Sequence, residues 1–273
     1  MNTDRYEELL KHTIGPDDTF RFHCTACGQC CKNREDILLS PYDLHRIANL
    51  LNVEMGQVIQ DYCVWYVGQM SKLPVVAVNI KGVCPFLEEN KSVEGCRSLE
   101  DGRSVDDSSH LEDGSHLEGG SSLEDGRSVE DSRGLKGSKC RIHAAKPTVC
   151  ALYPLGRAGT EDGVRYLVQY VNCGTTEEEH TVREWLAGYG LEDSETWFME
   201  WQKAIVPLTE RMRAIADKIT EKTLNMVAQG LLAALYMNYD REKPFMEQFH
   251  ENVNKIDDLL AGIEWTVKSM KEE

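Results

Sequence analysis

Four thiols fall within eight residues in Cys24-Thr-Ala-Cys27-Gly-Gln-Cys30-Cys31. A C-x-x-C turn lets two sulfurs face one metal ion while backbone N–H groups point at the same sulfurs. Gly28 supplies the permissive backbone that a second tight turn needs. Zinc or iron held by thiolates stabilises the folded chain, because the assembled site is absent from the unfolded one. Four unliganded thiols so close would be an oxidation hazard. Cys30 and Cys31 are neighbours, so their side chains diverge. Either they face different metal centres, or one is a ligand and the other is redox-active.

Further thiols stand in matching contexts. Cys84 opens Cys-Pro-Phe-Leu, Cys140 opens Cys-Arg-Ile-His, Cys150 leads into Ala-Leu-Tyr-Pro-Leu, and Cys173 precedes Gly174. Pro85 and Pro154 block helix continuation and Gly174 allows a sharp exit, so these thiols are expected on turns that can converge. With the first four they make eight, the number that two four-thiolate sites need. Cys63, in Tyr-Cys-Val-Trp-Tyr, reads as a buried core thiol. Cys96 lies inside a repeat unit and reads as incidental. His23 and His143 flank ligand cysteines and are expected behind the ligands or in solvent rather than on the metal, because sulfur already suffices.

The run FHCTACGQCC, then CPFL, then CRIHAAKPTVCALYP and a last cysteine resembles the CxxCxxCC or YkgJ-type cysteine-cluster family. That family is described as zinc- or iron-chelating, and its members are often labelled iron–sulfur-cluster proteins. The resemblance spans residues 20–175. It implies that its eight cysteines correspond to Cys24, Cys27, Cys30, Cys31, Cys84, Cys140, Cys150 and Cys173. It departs from the family between Cys84 and Cys140, where the family has only a short turn. A similar domain occurs in flagellin lysine N-methylases, so the resemblance also admits a protein methyltransferase.

The insert between those cysteines, Lys91 to Ser138, is eight tandem six-residue units of the type RSLEDG. Leu or Val is always third. One apolar residue in six buries too little to offset the entropy of ordering, so disorder is expected over a short β-helix. His110 and His116 belong to the repeat and are expected in solvent. The remaining chain reads as an α+β protein. A small cysteine-rich metal-binding domain with few short strands, residues 1–175, precedes a helical region, 176–273. A helix is predicted from Tyr42 to Leu51, opened by Ser40 and Pro41. Strands are predicted at Val75–Ile80 and Val164–Val171. Thr176 with Glu179 reads as a capping box. Ser194 is expected to cap the next helix, which should break near Pro207. Pro244 suits the first turn of the last helix, where Phe245, Phe249, Val253, Ile256, Leu260, Ile263, Val267 and Met270 form one apolar face. That face is expected to pack on the preceding helix, with a coiled-coil seam as the alternative.

Length and charge narrow the rest. The 273 residues allow one or two domains. A net charge of -16 repels polyanions and argues against nucleic acid as partner. The longest apolar stretch, from Gly230 through Tyr239, is half the length of a bilayer span. The start, MNTDRYEELLKHTIG, reads as no secretory signal, which points to the reducing cytoplasm. Three functions remain in view: an iron–sulfur or zinc/iron protein with a redox role, a methyltransferase, and a zinc-stapled module whose helical tail binds a protein partner. The closely spaced C-x-x-C-x-x-C favours iron–sulfur over paired zinc knuckles.

Overall fold

The computed structural model describes residues 8, 10–32, 34, 36–88, 139–171 and 173–269. The hexapeptide insert, with Cys96, His110 and His116, lies outside them. The described chain is α+β, with small sheets and a helical C-terminal region. Its strands are β1 (Thr19–His23), β2 (Leu38–Leu39), β3 (Cys63–Val67), β4 (Pro74–Val78), β5 (Leu87–Glu88), β6 (Lys139–Cys140), β7 (Leu155–Thr160), β8 (Gly163–Val168) and β9 (Thr175–Thr181). Its helices are α1 (Pro41–Leu51), α2 (Met55–Tyr62), α3 (Thr148–Leu152), α4 (Val182–Ala187), α5 (Ser194–Ala216), α6 (Glu221–Tyr236) and α7 (Phe245–Ser269).

Five antiparallel pairings organise the strands into four small sheets: β1 with β9, β2 and β3 on either side of β4, β5 with β6, and the hairpin β7–β8. Residues from the three-stranded sheet, α1 and α2 share one apolar core with residues from α5, α6 and α7. Leu44, Ile47 and Ala48 of α1, Val76 of β4, Leu231 and Leu235 of α6, and Ile256 and Leu260 of α7 are all sealed in it. Each large side chain so buried contributes about 1.5–3 kcal/mol. A second, smaller core joins Phe20 and Phe22 of β1 to Ala151, Leu152, Tyr166, Val182 and Leu186.

Helix α1 starts where Ser40 and Pro41 predict. Ser40 Oγ accepts from the Asp43 N–H (3.1 Å), and Asp43 Oδ2 accepts from the Ser40 N–H (2.9 Å). The two central strands and the final helix also fall close to their predicted spans. On α7, Phe245, Phe249, Ile256 and Leu260 are buried, and Val253 and Ile263 pack at the margin of the core. Met270 lies outside the described residues.

Three expectations fail. Thr176 and Glu179 make no capping box, because they lie in β9, which pairs with β1. The box falls five residues later, at Thr181 and Glu184, where α4 begins. Helix α5 does not break at Pro207. Trp197 precedes the proline, and Leu208, Met212 and Ile215 follow it, all buried. Burying both halves of the helix outweighs the roughly 3 kcal/mol that an internal proline costs. Ser194 is the first residue of α5 rather than its cap, a position held by Asp193.

Asp43 is buried and accepts four hydrogen bonds. Oδ2 takes the Ser40 N–H and hydroxyl, and Oδ1 takes the Thr148 N–H (2.7 Å) and hydroxyl (2.6 Å). One carboxylate thus joins the first turn of α1 to the first turn of α3. We expect Asp43→Ala, which strands these donors, to lower stability by about 2–4 kcal/mol in urea unfolding. A loss under about 0.5 kcal/mol would show that the carboxylate does not carry this junction.

Candidate metal centre

Backbone pairing brings the cysteine segments together step by step. Strand β1 ends at His23, next to Cys24, and β9 starts at Thr175, two residues after Cys173; His23 faces Thr175 across the ladder. Gly174 makes that approach possible. It sits at φ 74°, and a Cβ there would strike the Phe22 ring and stand 2.6 Å from the His23 carbonyl oxygen. On the other side, the Cys84 N–H donates to the Cys31 carbonyl (2.8 Å), and Lys32 bridges Val83. Leu87 of β5 then pairs with Cys140 of β6. Cys150 is delivered by α3, which Asp43 holds at Thr148. Arg46 of α1 fixes the approach to that helix by donating to the carbonyls of Ala144, Lys146 and Tyr189.

All eight cysteines singled out by the sequence line two adjoining cavities. One, of about 40 Å³, is walled by Cys30, Cys31, Cys84, Cys140 and Cys150. The other, of about 90 Å³, is walled by Cys24, Cys27, Cys30, Cys31, Cys140, Cys150 and Cys173. A water molecule takes about 30 Å³, so each has room for an ion. Cys24 and Cys27 are exposed and the other six are half-buried. Among the described residues, no group of three or more His, Cys, Asp or Glu side chains is already drawn in to metal-binding distances. What fits a soft metal is the donor chemistry and the convergence of the segments.

Gly28, at φ 70°, opens the single tight turn Gln29–Cys31. That turn leaves the Cys30 and Cys31 sulfurs 3.9 Å apart. The contact with Cys31 lowers the Cys30 pKa to about 6, against burial and helped by Lys146 and Arg34. The Cys31 thiol is raised in turn by Cys30, by burial, and by Cys84 and Cys150 nearby. Burial raises Cys84 and Cys140 and pushes Cys150 up to about 12. Burial also raises Cys173, against the Tyr153 hydroxyl 3.1 Å from its sulfur, which favours the thiolate.

Lys146 lines both cavities. Burial alone would lower its pKa, but Tyr189, Cys24, Cys140 and Cys150 outweigh burial and hold the ammonium above its ordinary value. His23 turns to Glu178, with Nδ1 2.8 Å from Oε1. His143 lines the larger cavity and packs on Tyr189. Cys63 stands apart on β3, buried in the main core with its thiol pushed up to about 12 by that burial. Sequence reasoning passed over Lys146, Tyr153 and Arg46, whose roles depend on contacts across the fold.

Residues 23–105 match the CxxCxxCC family. The family is described as a “putative zinc- or iron-chelating domain”. The CxxCxxCC segment holds Cys24, Cys27, Cys30, Cys31 and Cys84, and ends before Cys140, Cys150 and Cys173. The match is therefore shorter than the span expected from the sequence. No curated protein and no solved structure matches the chain. Among the described residues, no helix is long and apolar enough to cross a membrane.

Thiol alkylation of metal-free, reduced protein should follow exposure and thiolate character together. At neutral pH, Cys24 and Cys27 should be modified early and Cys63 last, because Cys63 is buried and keeps its proton. Peptide mapping by mass spectrometry reads the order. Early labelling of Cys63 in folded protein would contradict its placement in the core.

Proposed function

We propose that the chain binds two metal centres through eight thiolates, and that it is an iron–sulfur protein of the reducing cytoplasm with an electron-transfer or redox-sensing role. One set is Cys24, Cys27, Cys30 and Cys173. The other is Cys31, Cys84, Cys140 and Cys150. The observation that carries the division is the position of Cys30 and Cys31, adjacent in the chain and set between two cavities that each hold further thiols. The β1–β9 pairing supports the first set, and the Cys84–Cys31 and Leu87–Cys140 pairings support the second.

The same division is used in two-cluster ferredoxins, where three closely spaced cysteines hold one cluster and the fourth serves the other. The first set includes exposed Cys24 and Cys27, so a centre there would meet redox partners at the surface. When bound, such a centre would supply one-electron chemistry. This chain's contribution would be the thiolates, the Tyr153 hydrogen bond to Cys173, and the Lys146 charge between the sets. The small cavity volumes favour a second reading, in which each set holds one zinc or iron ion.

Elemental analysis and an absorption spectrum of anaerobically purified protein decide the matter. Iron with acid-labile sulfide and a brown colour is the expected result. Colourless protein with about two zinc ions per chain supports the second reading, since eight thiolates fill two tetrahedral sites. Cys31→Ser and Cys27→Ser should each remove about half the metal, and the double variant nearly all of it. Metal-free native protein with its cysteines paired as disulfides would overturn both readings.

A further inference from the structure

A third cavity, of about 450 Å³, adjoins the thiol cluster. It shares Tyr153, Val149 and Arg34 with the wall of the cavity that holds Cys31, Cys84, Cys140 and Cys150. Its size falls within the ~300–1,000 Å³ typical of small-molecule sites. Trp197, Phe198 and Trp201 of α5 and Tyr236 of α6 give it an aromatic lining. Trp197 and Trp201 are neighbours in it, tilted by 31° with 5.9 Å between centroids.

Arg157 of β7 and Arg34 are the cations of this lining, which also carries Asp36 and Asp43. Arg34 is already paired with Asp36, which leaves Arg157 as the cation open to a ligand. Arg157 Nη1 donates to the Ser194 carbonyl (3.1 Å) and hydroxyl (3.4 Å), and its guanidinium stacks 4.3 Å from the Phe198 ring centre. Among the described residues it forms no ion pair. The two nearby carboxylates are engaged elsewhere: Glu195 by the Tyr166 hydroxyl, and Asp43 by Ser40 and Thr148. Burial lowers the Arg157 pKa, and Tyr166, Asp43 and Glu195, which favour the charged guanidinium, do not offset it. An incoming anion in direct contact would therefore reduce the cost of that half-buried charge. Guanidinium also matches a carboxylate in a two-point hydrogen bond. The chain's charge of -16 disfavours a dianionic phosphate relative to a singly charged group.

We propose that this cavity binds a small planar aromatic carboxylate, anchored by Arg157 and stacked against the tryptophans of α5. The inference does not depend on which metal the thiols hold.

Quenching of tryptophan fluorescence in the full-length protein tests it, with 2-naphthoate as probe and 2-naphthalenemethanol as its uncharged counterpart. The acid should quench saturably, and the alcohol should bind about tenfold or more weakly, the value of one charge-assisted hydrogen bond. Arg157→Gln should remove that difference while leaving metal content unchanged. Trp201→Leu should weaken both probes alike, which keeps the test open if Arg157→Gln fails to fold. Equal binding of acid and alcohol to the unmodified protein, an unchanged ratio in folded Arg157→Gln, or no saturable quenching would each overturn the proposal.

Discussion

The Asp43 carboxylate is the constraint on which the arrangement turns. Its two oxygens satisfy four donors, two at the start of α1 and two at the start of α3. A buried carboxylate is tolerated only when its lone pairs are taken up in this way. Three residues along the same helix, Arg46 collects the carbonyls of Ala144, Lys146 and Tyr189. Together they fasten the segment carrying Cys140, Lys146 and Cys150 to a helix whose opposite face is sealed in the main core. The placement of Cys140 and Cys150 is therefore set by core packing transmitted through α1, while the β1–β9 ladder and the Cys84–Cys31 backbone bond place the other segments.

The thiols, left alone, oppose their own assembly. Burial raises Cys84, Cys140, Cys150 and Cys173, and their mutual proximity adds to it. Lys146 and Arg34 counter this only in part, by favouring the Cys30 thiolate. A bound dication reverses the balance, because it stabilises each thiolate that the neighbours destabilise. Because a thiol must lose its proton to bind a metal, the affinity of such a cluster for a cation falls as pH falls.

The sequence disclosed the local features and concealed the long-range ones. Ser40, Pro41 and the apolar face of α1 are legible because capping and helical periodicity act over a few residues. The thiols were legible as chemistry, since C-x-x-C spacing has a mechanism. Their grouping was not, because it depends on His23 meeting Thr175 and Leu87 meeting Cys140 across more than fifty residues of chain. The same pairing turned Thr176 from a helix cap into a strand residue. Pro207 misled for the opposite reason: a strong local signal was outweighed by burial on both sides of it. Asp43 and Arg157 gave no signal, since a single charged residue in a sequence does not disclose what its side chain will face.

The short ladder between β5 and β6 explains how the cysteine-bearing fold can carry its insert. Leu87 and Glu88 pair with Cys140 and Lys139, so the described residues that flank the insertion lie side by side. For a flexible loop whose ends are fixed, the entropy of closure grows only logarithmically, by about 0.6 kcal/mol for each doubling of its length. Repetition of a six-residue unit therefore lengthens the chain between Cys84 and Cys140 at small thermodynamic cost, provided that those two pairs hold. The distance between two cysteines along the sequence thus says little about their distance at the site, and the residues that matter are the few on either side of the closure.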